Sequence, residues 1–115
     1  MSNINQLAPP KWACALLNHL YEVEKKLIAF GDVGNAMRNV DKMKGVFEEM
    51  GLFYEDPMGQ AFKETRTDLE ATISGTGTDN LTVVEVIKPV LRQGTRDFSR
   101  VTQKGIVIVE SKQKP

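Results

Sequence analysis

Cysteine and histidine are almost missing from this chain: its 115 residues hold one of each, Cys14 and His19. One cysteine makes no intrachain disulfide and no cysteine-rich metal site, and one histidine gives a histidine-based site nothing to build on. Both read as structural side chains of a helix, so neither a metal nor a cofactor is expected. Long hydrophobic runs are missing too. No apolar stretch approaches the ~20 residues needed to span a bilayer, and the first residues show no signal-peptide pattern. The charge has no net sign, with 15 basic residues against 15 acidic ones. That balance advertises neither nucleic acid nor an acidic membrane surface as a partner. These absences together point to a cytoplasmic protein in reducing surroundings, with no nucleic-acid and no membrane partner.

What is present suffices for a core. Hydrophobic residues make up 41% of the chain and charged residues 26%, the proportions of an ordinary folded domain. The charges are unevenly placed. Residues 41–72 carry eight acids against four bases, and residues 85–115 carry seven bases against three acids. A basic end can steer a partner, although solvated strand faces are the simpler account.

Two helices are written into the first half. Pro9 and Pro10 stand where a first helical turn tolerates proline. From there Ala13, Leu16, Leu20, Val23, Leu27 and Phe30 recur at alternating spacings of three and four, the seam of a helix packed on another helix. Gly31 stands where a left-handed residue caps such a helix. Val33, Ala36, Val40, Met43, Phe47 and Met50 repeat the pattern up to Gly51, with Gly45 as a weak interior point. The short link "GDVGN" favours antiparallel neighbours. Two helices alone make a thin core. A homodimer joined through Leu16, Leu20, Val23 and Leu27 of one arm and Val40, Met43 and Phe47 of the other would complete a four-helix bundle. The alternative is that the hairpin folds back on the second half.

After Gly51 the period changes. "LFY" is short and apolar, and "EDPMGQAFKETR" is a turn-rich connector. Leu69, Ala71 and Ile73 then alternate with polar residues, as in a strand. "LTVVEVIKPVLRQ" is long and β-branched, and Pro89 within it implies an edge, a bulge or a break. "RDFSRVT" and "IVIVE" are further strands, set off by the turns "QGT" and "QKG". The expected fold class is α+β: an antiparallel helical hairpin, half of a dimeric four-helix bundle, followed by a small, mainly antiparallel β-domain. The expected divisions are a loose tail at 1–8, a dimerisation hairpin at 9–51, a partner-binding β-domain at 52–110 and a tail at 111–115.

Catalytic constellations are not apparent. "SGTGTDN" has the glycines of a phosphate loop, but it holds no lysine, and a β-branched strand follows where a helix should supply amides and dipole. One acid in the loop is too few for calcium. It reads as a connection between strands. The acidic pairs Glu48-Glu49, Glu55-Asp56 and Asp68 with Glu70 read as solvated charge, because general acid–base work needs two carboxyls held across a pocket. Trp12 is either an interface anchor or a plug for the end of the bundle.

The order of these elements resembles GrpE, the nucleotide exchange factor of DnaK-type chaperones, over about residues 13–110. The hairpin is similar to the short-helix pair of the GrpE bundle. "FEEMGLFYEDPMGQAF" resembles the family's aromatic-x-x-x-Gly-hydrophobic run with its Pro-x-Gly and following phenylalanine. "LEATISG", "TVVEVIKPVLRQGTR" and "GIVIVES" resemble three of its strands. The departures are specific. Lys63-Glu64 follows Phe62 where the family has Asp-Pro, and Leu69 stands where the family has histidine. "PVL" replaces Lys-Gly-Tyr, "SRVTQK" fills the place of Leu-Arg-Pro, and the family's long N-terminal helix has no counterpart, so the resemblance is either to a divergent short form lacking that helix or to a fragment of a longer protein. It implies a cytoplasmic homodimeric co-chaperone of protein folding and the stress response, not an enzyme. Such a protein binds the chaperone's ATPase domain and wedges its cleft open so that ADP leaves. Carried over by position, Phe62, Ile87 and Val109 would be the apolar contacts to the chaperone, each equally readable as β-core. The competing expectations are a non-exchanging structural or adaptor protein on the same scaffold and, more remotely, a small enzyme or nucleotide binder using the 73–80 loop.

Overall fold

Pro10 fixes where the first helix begins. With φ −61° and ψ 149° it stands just outside α1, Lys11–Phe30, where its missing N–H forfeits no helical bond. The computed structural model describes residues 8–111, so the tails expected at 1–8 and 111–115 fall outside it, but for Ala8 and Ser111. Gly31 ends α1 at φ 111°, donating its N–H to Leu27 O at 2.9 Å. A 3-10 turn, Val33–Asn35, leads into α2, Ala36–Glu49. Gly34 and Asn35 are both left-handed in that turn, and Asp32 Oδ1 accepts the Met37 N–H at 2.7 Å. Gly51, at φ 81°, closes α2.

Among the described residues six strands follow: β1 Leu52–Glu55, β2 Leu69–Ser74, β3 Leu81–Lys88, β4 Val90–Gly94, β5 Ser99–Gln103 and β6 Gly105–Ser111. The chain is therefore α+β, with a helical hairpin preceding the strands. The strands form two three-stranded sheets, ordered β1-β4-β5 and β2-β6-β3. β3 runs antiparallel to β6, and β2 runs parallel to it. Pro89 is the break between β3 and β4, at which consecutive strands enter different sheets. Lys104 does the same between β5 and β6, so "QKG" is a change of sheet and not a hairpin turn.

Contacts group the described residues into two compact units, 8–54 with 92–102 and 55–91 with 103–111. The sequence placed its division at 51/52, whereas residues 92–102 cluster with the helices.

In the first unit, α1 buries Ala13, Leu17, Leu20 and Tyr21, the i, i+4, i+7, i+8 stripe of a core-facing helix. The expected seam shared only Ala13 and Leu20 with it. Leu16, Val23 and Phe30 are exposed, so the packed face is rotated by less than one residue, roughly 75° of helix. α2 buries Val40 and Phe47, as its seam required, but Met43, and Met50 just past its end, are exposed. Strand β1, buried at Leu52, Phe53 and Tyr54, supplies covering surface. Tyr54 donates its hydroxyl to Glu24 Oε1, Lys44 Nζ lies 3.2 Å from Glu24 Oε2, and the Tyr21 and Tyr54 rings meet edge-on at 5.4 Å. One network thus joins α1, α2 and β1. Burial and the Glu24 carboxylate push the Tyr54 hydroxyl well above the usual phenol range.

In the second unit the core is Leu69, Val83, Val90, Leu91, Val107 and Val109 with Pro57 and Pro89. The irregular connector before β2 is held by Arg66. Its guanidinium binds Asp68 through two bonds of 2.8 and 3.1 Å and Gln60 Oε1 at 2.9 Å.

Candidate functional site

The helical hairpin carries more apolar residues than its core uses. On α1, Trp12, Leu16 and Val23 follow spacings of four and seven, and Phe30 lies seven further on, so the four share one face. All four are exposed, Trp12 by 60%. On α2, Met43 and Val46, with Met50 just past its end, do the same at spacings of three and four. Trp12 and Met50 line one groove of about 280 Å³ with Pro9, Pro10 and Leu52, so the two stripes meet there. Trp12 is therefore exposed at an apolar groove, which resolves its two readings in favour of a surface residue.

Of the residues expected at a dimer interface, Leu16, Val23 and Met43 lie on this open face. Leu20, Val40 and Phe47 do not. They are buried in the chain's own core and are not available to a second copy while the hairpin is folded. Leu27 is half-buried. Val46 was missed because it falls outside a strict seam, though a second apolar stripe beside the first was its signal. His19 is exposed on α1, and Cys14 is half-buried with burial raising its thiol pKa, the state of an unreactive thiol.

The β4–β5 connection in the same unit was expected as the turn "QGT", but it runs on to Phe98, a residue expected in the following strand. Phe98 stands 85% exposed at its tip. The tip is held by Thr95 N–H donating to Phe98 O at 2.8 Å and Phe98 N–H donating to Thr95 Oγ1 at 3.1 Å. Arg96 stacks over Phe53 at 4.2 Å and pairs with Glu48, tying the tip to α2.

In the second unit, the "DPMGQAF" segment docks on the edge of β3. Asp56 Oδ1 accepts the Met58 N–H at 3.0 Å, and Gly59 turns at φ 81°. Gly59 and Phe62 then donate to Val83 O and Leu81 O, and Val83 donates to Gln60 O. Phe62 is half-buried beside Leu81 and Asn80, on a depression of about 320 Å³. Ile87 is 53% exposed, six residues further along β3. Phe62 and Ile87 thus lie toward opposite ends of the strand, roughly 20 Å apart at ordinary strand rise.

Val109, the third residue carried over by position, needs correction as a contact. It is 0% exposed, facing the core between Ile73 and Val83. Strand alternation decides this, since a shift of one residue reverses the face presented.

The loop 75–80 joins β2 to β3, but those strands are not neighbours, because β6 lies between them. The loop bridges the end of β6, where Ser111 Oγ donates to Asp79 O. Asn80, at φ 53°, turns the chain into β3. Gly75, at φ 85°, serves this crossing, and a strand follows where a phosphate site would need a helix.

No helix among the described residues is long and apolar enough to cross a membrane. Compared with protein-family models, with curated proteins and with solved structures, the chain has no match.

Proposed function

We propose that this chain is a co-chaperone of the GrpE type: a homodimer through its helical hairpin that binds the ATPase domain of a DnaK-type chaperone and promotes ADP release. The observation that carries the reading is the second apolar face of the hairpin. Trp12, Leu16 and Val23 on α1 and Met43 and Val46 on α2, with Met50 just past its end, are open to solvent beside a hairpin core that is already filled. Apolar surface of this continuity marks a protein-interaction site, and a second hairpin is its natural complement, giving four helices. The residue-level resemblance supplies the partner. Its "DPMGQAF" motif is an ordered segment on β3, and Ile87 is available on the same strand.

A non-exchanging adaptor on the same scaffold is the second reading. It is favoured by the burial of Val109, which leaves one contact carried over by position without a surface. Affinity separates the two. An exchange factor must bind the nucleotide-free ATPase domain more tightly than the ADP-bound one, since only a difference in affinity shifts an equilibrium. Titration calorimetry with both forms is expected to give a preference of at least about tenfold, equivalent to 1.4 kcal/mol. Equal affinities would leave the adaptor reading, and no binding to either form would remove the chaperone as partner.

A further inference from the structure

The outward face of the β2-β6-β3 sheet has the layout of a docking surface. Glu70, Thr72 and Ser74 of β2 pair with Ile106, Ile108 and Glu110 of β6. On the other flank, Thr82 pairs with Glu110, Glu85 with Ile108 and Lys88 with Ile106. Paired residues share a face, so these residues lie opposite the buried Leu69, Val83, Val107 and Val109.

β3 adds two aliphatic side chains to that face. Its register shifts fall between Val83 and Glu85 and between Val86 and Lys88. Val84 and Ile87 are thus the extra residues of two bulges, opposing Ile108 and Ile106 together with Glu85 and Lys88. Both are exposed, Val84 by 38%. With the half-buried Ile106 and Ile108 they form an aliphatic cluster of four. Bulges also spoil an edge for strand addition, so contact here is made by side chains. The rim is acidic, with Glu70, Glu85 and Glu110 against Lys88.

We propose that this face docks a protein surface in which an apolar anchor is ringed by lysine and arginine, with Val84, Ile87, Ile106 and Ile108 receiving the anchor. Charge complementarity selects that occupant and disfavours nucleic acid and anionic lipid. The partner's identity rests on the co-chaperone reading, whereas the face is read from register and exposure.

The test uses the full chain and two probes: the ATPase domain of the cognate DnaK-type chaperone, and a synthetic amphipathic peptide of leucine and lysine, with a leucine–glutamate peptide as control. Amide NMR shifts are expected at 84–88 and 106–108 with both probes and not with the control. Val84→Thr combined with Ile87→Thr is expected to weaken ATPase-domain binding by at least about tenfold, with Tm unchanged. Glu85→Lys is expected to weaken it and flatten its salt dependence. Unchanged affinity in these variants would overturn the docking face and leave the co-chaperone reading standing. Peptide shifts at the face without binding of the ATPase domain would overturn the partner and keep the face. Silence with both probes would overturn both.

Discussion

Two residues, Gly94 and Tyr54, show how far single positions hold the first unit together. Gly94 sits at φ 132°, and a Cβ there would fall 2.3 Å from Phe98 O. Backbone would have to move, so Gly94→Ala is expected to cost at least about 2 kcal/mol in urea denaturation. Gly59→Ala is the control. It too has a left-handed φ, 81°, but a Cβ there meets nothing within 4 Å, and a loss of only about 1 kcal/mol is expected. Tyr54→Phe removes the hydroxyl that Glu24 accepts, for about 1 kcal/mol. It should also alter the pH profile. The Tyr54 hydroxyl has a folded pKa above its ordinary value of 10.0. Its contribution is therefore complete below pH 10 and is lost as pH rises from there toward the folded value, at about 1.4 kcal/mol per pH unit. Chemical denaturation between pH 9 and 11 should show that decline in the parent and a shallower one in Tyr54→Phe. At this scale the sequence was least legible. Leu16 and Leu17, or Val109 and Ile108, differ by one position, and a single step reverses core and surface.

The elements were more legible, because their signals are summed over many residues. Gly31 and Gly51 marked both helix ends, and Pro89 marked the break in a long β-branched run. What the pattern left open was the phase of each helix. Apolar residues fill two adjacent stripes of α1, and a 3-4 repeat threads between them. Only packing within the unit selects the Leu17 stripe. Leu17→Ala is accordingly expected to cost about 2–5 kcal/mol, and Leu16→Ala under about 1 kcal/mol, when both are measured at dilutions that favour monomer. The reverse ranking would restore the original seam. The parallel β2–β6 pair was not legible either, since no local signal tells which strand will lie between two others. The bulges at Val84 and Ile87 were equally hidden, because a bulge is a property of pairing and not of composition.

For the whole molecule, the α+β class followed from the change of period at Gly51. The assignment of residues 92–102 to the helical unit did not, because it depends on contacts distant in sequence. The open stripe of the hairpin sets the expected assembly. Sedimentation velocity at tens of micromolar should give a dimer, and Leu16→Glu with Val46→Glu should give a folded monomer; a parent that sediments as a monomer would contradict that assembly. The central claim concerns what the assembly does, and stopped-flow release of a fluorescent ADP analogue from the cognate DnaK-type chaperone tests it most directly. The expected result is faster release that saturates with added protein and returns toward the basal rate with Val84→Thr and Ile87→Thr together. A release rate unchanged at saturating protein would contradict it.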